Sequence, residues 1–119
     1  MRNLRAILAV VTTLASAAAA LAGEITIPLA DGTDVEKIET VYDCGDRTVA
    51  VTYINAGAIS LAVLDMDGEP VVAANVISAS GARYAGAHYV WWSKGDEASL
   101  YDLMQGGEDA PTASCTARG

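Results

Sequence analysis

Apolar and polar residues alternate with a period of two along much of this 119-residue chain, and this pattern most constrains its fold. In one clear example, Val49, Val51 and Tyr53 are separated by single threonine or alanine residues. Successive side chains of a strand point to opposite faces, so such segments are predicted to be half-buried strands. No long window keeps a helical period, and the sequence therefore predicts an all-β protein.

Turn signals divide the alternating segments into short strands. The dipeptide Asp67-Gly68 is a strong hairpin signal, and 55–57 and 94–96 are further predicted turns. Segments 25–29 and 35–42 are expected to be the first strands, 98–101 fits either a strand or a short helix, and 108–114 is expected to be a loop. After the turn at 55–57, the inward-facing residues are expected to be Ile59, Leu61 and Val63.

Strands this short and closely spaced favour an up-and-down meander, and closure of the sheet removes its exposed edges. We therefore predict a small antiparallel up-and-down β-barrel of about eight strands, filled by its own side chains. Trp91 and Trp92 are adjacent and must point to opposite faces of their strand. At most one of them is expected in the core, and the other is expected to cover the barrel or an interface.

The amino terminus has the features of a secretory signal peptide, since Arg2 and Arg5 precede an uncharged apolar run that ends in small residues. Cleavage is expected after Ala22, which leaves one domain, 23–119, in the periplasm. A lipoprotein would have a cysteine after Leu-Ala-Gly, whereas Glu24 follows Gly23 here. We therefore expect a mature protein without lipidation or a stable membrane anchor.

The two cysteines, Cys44 and Cys115, both lie in the predicted mature domain. In an oxidising exported compartment such a pair is expected to form one disulfide, although two free thiols are the alternative. Closing a loop of roughly 72 residues would contribute about 4 kcal/mol on the chain-entropy model. A disulfide here would link the first core strand to the last residues of the chain.

The charge balance restricts the partners of the domain. The whole chain has a formal net charge of −8, and removal of the signal peptide leaves five basic against 15 acidic residues, or −10. Such a chain is a poor partner for nucleic acid or anionic membranes and a good one for a basic protein. The single histidine, His88, and the distant cysteines have no metal-ligand spacing, so neither a metal nor another cofactor is expected.

Polar and small residues are densest in two segments, Ser78–Tyr84 and Lys94–Glu97, which flank the strand containing the tryptophans. Hydroxyls, a guanidinium and an ammonium supply donors there, and glycines permit close approach of a partner. One interpretation is a hydrolase with Ser80 as nucleophile and Lys94 as base. The chain lacks the Ser-x-x-Lys spacing and a nucleophile elbow, which argues against that enzyme. Two solvated turns are the plain structural alternative.

Taken together in order, several blocks resemble the family of periplasmic and membrane-bound inhibitors of c-type lysozyme. The resemblance covers most of the mature chain, apart from 24–34. The matching elements are Tyr42-Asp43-Cys44, the strand from Val49 to Asn55, the block Ser78–Tyr84, the block Trp92–Ala98 with Leu100, and the final Cys115.

This resemblance implies a small β-barrel that inhibits lysozyme by inserting two loops into the substrate cleft. Ser80 and Lys94 are then expected to contact the two catalytic carboxylates of the enzyme. Arg83 and Tyr84 would support the first loop, and Gly81 and Gly95 would allow close approach. A second hypothesis is an interaction module for another envelope partner, such as an endogenous murein hydrolase.

Overall fold

The computed structural model describes residues 9–13 and 23–119. The predicted signal peptide, 1–22, lies outside the described residues except for 9–13, and the predicted cleavage site at Ala22 lies outside them as well. Within the described residues, no helix is long and apolar enough to cross a membrane.

Eight antiparallel strands form a closed barrel in which each strand pairs with its neighbours in sequence and β8 returns to β1. The predicted up-and-down barrel is therefore confirmed. The strands are β1 (Glu36–Cys44), β2 (Arg47–Ala56), β3 (Ile59–Met66), β4 (Glu69–Val76), β5 (Ala82–Gly86), β6 (Tyr89–Lys94), β7 (Glu97–Asp102) and β8 (Ala113–Ala117).

Two-residue turns join most of these strands, and positive φ angles are needed in them because such turns must follow the twist of the sheet. Asp67 (φ 55°) and Gly68 (φ 89°) both have positive φ in the β3–β4 turn, as a type I′ turn requires. The Asp65 carboxylate accepts a hydrogen bond from the Gly68 amide at 2.7 Å, which further fixes this turn. The hairpin expected from Asp67-Gly68 is confirmed.

The barrel closes where β1 meets β8, at a seam that is short compared with the β1–β2 ladder. Tyr42 is in register with Ala117 and Asp43 with Thr116, and the predicted disulfide Cys44–Cys115 covalently links the same two strands. Arg118 adds an ion pair to the Asp43 carboxylate at 2.8 Å. A covalent bond and an ion pair thus reinforce the pairing that closes the sheet.

Aromatic side chains fill the barrel and satisfy one another's polar atoms. Trp91 is fully buried, and its indole Nε1–H donates to the Tyr53 hydroxyl at 2.9 Å. The Tyr42 and Tyr53 hydroxyl oxygens lie 2.7 Å apart, and burial raises the pKa of Tyr42, so its hydroxyl stays protonated. The predicted division of the tryptophan pair is confirmed, because Trp91 is in the core and Trp92 is on the outside.

The inward face predicted for β3 is wrong. Leu64 is opposite Val51 in the β2–β3 ladder, and residues opposite each other point to the same face of a sheet. Val51 is buried, so the inward residues of β3 are Ala62, Leu64 and Met66. Ile59, Leu61 and Val63 are instead half-buried on the outer side.

Other sequence predictions also need correction. Residues 25–29 form no strand. The strand β5 begins within the polar segment 78–84, which was expected to form a loop, and β8 begins within the predicted loop 108–114. Segment 97–102, for which strand and helix were both open, is a strand. Both new strands are only five residues long, and a period of two is hard to recognise over so short a segment.

Candidate functional site

The two polar segments singled out in the sequence lie at the same end of the barrel. In an up-and-down meander every second connection is at the same end, and the β4–β5 loop and the β6–β7 turn are two such connections. The residues between β4 and β5, 77–81, are here called the site loop. The site loop continues into β5, which pairs with β6, so it lies beside the strand that ends at Lys94.

Hydrogen bonds to main-chain carbonyls fix the conformation of the site loop. The Trp92 indole Nε1–H donates to the carbonyl oxygen of Ser80 at 2.8 Å. The Ser78 hydroxyl lies 3.1 Å from the same oxygen and 3.2 Å from the carbonyl oxygen of Gly81. These bonds hold the backbone of Ser80 in place. Ser80 itself is exposed to solvent.

Gly81 is the point at which the site loop touches the neighbouring strand. Its φ is +66°, and a Cβ placed there would lie 2.5 Å from the Ser93 carbonyl oxygen and 3.3 Å from Cβ of Lys94. Real Cβ atoms do not approach a carbonyl so closely, so only glycine fits without movement of the backbone. This close contact brings the backbone next to Ser80 against the end of β6.

Lys94 is the last residue of β6 and is exposed, opposite Glu97 across the hairpin. All three arginines of the mature domain form internal ion pairs, with Asp67, Glu108 and Asp43 respectively. Within the described residues, Lys94 takes part in none of the ion pairs. Its ammonium is therefore available to an external anion. Gly95 (φ +58°) makes the tight turn that follows, and a Cβ there would meet none of the described residues within 4 Å apart from its two chain neighbours.

Arg83 and Tyr84 lie on β5 directly after the site loop, and as neighbours in a strand they point to opposite faces of the sheet. Arg83 pairs with Glu108, and the main-chain carbonyl oxygen of Arg83 accepts a hydrogen bond from the side-chain amide of Asn75 at 3.2 Å. Tyr84 is buried in the barrel, with its ring centroid 5.7 Å from that of Tyr53. The side chain of Tyr84 therefore contacts the core and is not part of the exposed surface.

A shallow depression of about 210 Å³ runs beside the loop, and Ser80, Trp92 and Lys94 all line it. Trp92 is the site residue that the sequence interpretation did not assign. The alternation of the tryptophan pair predicted only that at most one of the two lies in the core, and nothing in the sequence indicated the bond of Trp92 to Ser80. A second depression of about 390 Å³ lies at the β1–β2 turn and the beginning of β8, around Gly45 and Ala113, and none of its lining residues belongs to the site loop or the β6–β7 turn.

The arrangement does not favour hydrolysis. A base that activates a serine must lie within hydrogen-bond reach of its hydroxyl. Among residues 23–119, no hydrogen bond joins the side chains of Ser80 and Lys94, and no group of acidic, histidine or cysteine side chains could hold a metal. What the site presents is an exposed hydroxyl on a hydrogen-bonded loop beside a cation that forms no ion pair with any described residue, which suits binding of an anionic group.

Comparison with known proteins agrees with this description. The family model for membrane-bound lysozyme-inhibitor of c-type lysozyme matches residues 42–109. A membrane-bound lysozyme inhibitor of C-type lysozyme from Cupriavidus necator is 44% identical over 113 residues, which cover 92% of this chain and 89% of the relative. One of the same name from Pseudomonas aeruginosa is 47% identical over 79 residues, 65% of this chain and 62% of that protein.

A solved structure is similar as well. The crystal structure of Pseudomonas aeruginosa MliC in complex with hen egg white lysozyme superposes with a TM-score of 0.67 at 37% identity. The match covers 82% of this chain and 99% of the solved one. The names of the relatives place these proteins at the cell envelope. The chain belongs to the family of membrane-bound inhibitors of c-type lysozyme, whose members are protein inhibitors and not enzymes.

Proposed function

We propose that this protein inhibits c-type lysozyme by placing the site loop and the β6–β7 turn in the active-site cleft. Ser80 and Lys94 engage the catalytic carboxylates there. The observation that carries the proposal is the position of Lys94, an exposed ammonium that forms no ion pair among residues 23–119 and lies beside a hydrogen-bonded loop that exposes Ser80. A relative of similar fold was crystallised bound to hen egg white lysozyme, which supports the choice of partner.

The chemistry of the target explains why these two groups suit it. A c-type lysozyme cleaves glycosidic bonds with a protonated glutamic acid and an ionised aspartate, which flank the bond to be broken. An ammonium complements the ionised carboxylate, and a serine hydroxyl can donate to one carboxyl while accepting from the other. Occupation of both carboxyls blocks the substrate and the proton transfer together.

Charge acts at two ranges in this proposal. The mature domain, with five basic and 15 acidic residues, attracts a basic enzyme from a distance and speeds encounter. At contact, Lys94 provides a positive charge for the ionised catalytic aspartate of the enzyme. Inhibition is therefore expected to weaken as salt screens the long-range attraction.

The other predicted site residues have supporting roles in the proposal. Gly81 and Gly95 bring the backbone close to the enzyme, and Arg83 and Tyr84 stabilise the first loop from the two faces of β5. None of these four needs to touch a catalytic carboxyl for inhibition to occur.

We further propose that the protein acts in the periplasm as a mature chain from Gly23 without a lipid. Lysozyme reaches the cell wall in this compartment, and Glu24 stands where a lipid-modified cysteine would be needed. Mass spectrometry of the exported protein is expected to give an unmodified amino terminus at Gly23. A mass increase corresponding to an acylated amino terminus would contradict this location.

The binding mode is tested by comparing two lysines. Lys94→Met keeps most of the aliphatic stem and removes the charge, and Lys37→Met is the matched control because Lys37 is exposed on β1. Loss of a charged hydrogen bond in a closed interface costs about 2 to 5 kcal/mol, which is about 30-fold to several thousand-fold in the inhibition constant. Equal inhibition by both variants would refute the role of Lys94.

A further inference from the structure

We infer that Trp92 and Ser78 are positioning residues for inhibition, which hold the backbone of Ser80 in its lysozyme-binding conformation before the enzyme arrives. This inference rests on the proposed function and extends it to two residues that contribute through Ser80. Their shared target is the Ser80 carbonyl oxygen, 2.8 Å from Trp92 Nε1 and 3.1 Å from the Ser78 hydroxyl.

The two donors approach the carbonyl from different parts of the chain. Ser78 belongs to the site loop itself, whereas Trp92 projects from the outer face of β6, opposite Arg83 in the ladder. A bond within the loop shapes the loop, and the bond from Trp92 attaches it to the barrel. With Gly81 packed against the Ser93 carbonyl on the same strand, the loop is fixed to β6 at consecutive residues.

Fixing the loop in advance matters because an ordered loop loses less conformational entropy on binding. A loop that must be ordered by the enzyme gives up part of the binding free energy, and preorganisation avoids that cost. The bonds around Ser80 are between uncharged groups on an exposed loop, so each is expected to have a modest effect by itself.

The experiment measures lysozyme inhibition by Trp92→Phe and by Ser78→Ala. Phenylalanine keeps an aromatic ring on β6 and removes the indole donor, and alanine removes one hydroxyl. Each variant is expected to inhibit about three- to tenfold less well, which corresponds to the loss of one neutral hydrogen bond. The matched control is Ser60→Ala in the β2–β3 hairpin, which removes a hydroxyl that donates to the Asn55 side chain at 2.9 Å and not to the site loop.

A double-mutant cycle separates positioning from a general structural effect. If Trp92 acts through Ser80, its substitution costs little once the Ser80 hydroxyl is absent, so Trp92→Phe and Ser80→Ala are expected to be non-additive. Full additivity would overturn the inference, because Trp92 would then contact the enzyme or stabilise the barrel independently of Ser80. Ser78→Ala is subject to the same cycle, and it decides the question if Trp92→Phe does not fold.

The outcomes distinguish the inference from the function on which it rests. If the wild-type protein inhibits lysozyme and both variants match Ser60→Ala, the positioning role is wrong and the proposed function stands. If the wild-type protein does not inhibit lysozyme at all, both are wrong. Reduced and non-additive inhibition with unchanged unfolding midpoints is the result that the positioning role predicts.

Discussion

Substitution of Gly81 by alanine is expected to damage the protein in a way that other positive-φ glycines do not share. A Cβ at this position would lie 2.5 Å from the Ser93 carbonyl oxygen and 3.1 Å from Trp92 Nε1. The carbonyl belongs to the β5–β6 ladder, where Ser93 is opposite Ala82, so relief of the clash must move backbone and not merely a side-chain end.

The size of the effect follows from separate contributions. A left-handed conformation costs a non-glycine residue about 1 to 2 kcal/mol, and forcing an extra methyl group into a packed site costs about 1 to 3 kcal/mol more. Replacing glycine also makes the unfolded chain less flexible, which returns about 0.4 to 1 kcal/mol. The free energy of unfolding of Gly81→Ala should therefore fall by about 1 to 4.6 kcal/mol, and inhibition should fall because the site loop is displaced.

Two other glycines are matched controls. Gly45 (φ +74°) and Gly95 (φ +58°) need the same left-handed conformation, but a Cβ at either would meet nothing within 4 Å. Each alanine variant should lose about 1 kcal/mol of stability from backbone strain alone. Gly45→Ala, in the β1–β2 turn outside the proposed interface, should inhibit lysozyme normally, whereas Gly95→Ala should inhibit poorly because it adds a methyl group to the turn that is proposed to enter the cleft.

Urea unfolding and lysozyme inhibition, measured on the three variants side by side, test this reasoning. The expected order of stability loss places Gly81→Ala well ahead of the other two. Equal stability losses at Gly81 and Gly45 would show that the contact with the Ser93 carbonyl is not a real constraint. Full inhibition by Gly95→Ala would show that the β6–β7 turn does not contact lysozyme.

Three further predictions concern the barrel. Tyr53→Phe leaves the buried Trp91 indole without its acceptor and should lower the unfolding free energy by about 1 to 3 kcal/mol in urea titrations; an unchanged midpoint would contradict this. Replacing Cys44 and Cys115 by serine should lower the unfolding free energy by about 4 kcal/mol and increase proteolysis at the β1–β8 seam. A double variant as stable as wild type would refute the stabilising role of the disulfide. The hydrogen bond from His88 keeps the pKa of Asp102 below its ordinary value, so this carboxylate stabilises the fold fully above about pH 5 and progressively less as the pH falls below about 4. The difference in unfolding free energy between wild type and Asp102→Asn should narrow over that acidic range. A difference independent of pH would show that ionisation of Asp102 does not stabilise the fold.

Much of the architecture could be predicted because alternation and turn chemistry are local signals. Asp67-Gly68 specified its hairpin by itself, and adjacency alone separated Trp91 from Trp92. The face of β3 could not be predicted by the same means, because apolar residues occupy both of its faces. Register with β2, which places Leu64 opposite Val51, decides that question and depends on the whole sheet.

The two polar segments of the site could be predicted from the sequence, but the contacts between them could not. Resemblance to a known family selected Ser80 and Lys94, and the meander explains why their connections share one end of the barrel. The bond between Trp92 and the Ser80 carbonyl joins residues 12 positions apart through pairing of β5 with β6. The sequence pattern places the first residues of β5 in the polar loop 78–84, so neither this strand pairing nor the contact that depends on it follows from the pattern.

The most direct test of lysozyme inhibition is a titration of the c-type enzyme with the purified mature protein, with lysis of bacterial cell walls as the readout. Blockage of the active-site cleft predicts that residual activity falls to zero near equimolar inhibitor at low salt and that moderate salt weakens the inhibition. Undiminished lysis at a large excess of the protein would contradict this function, and capture of an endogenous murein hydrolase in its place would point to a different envelope partner.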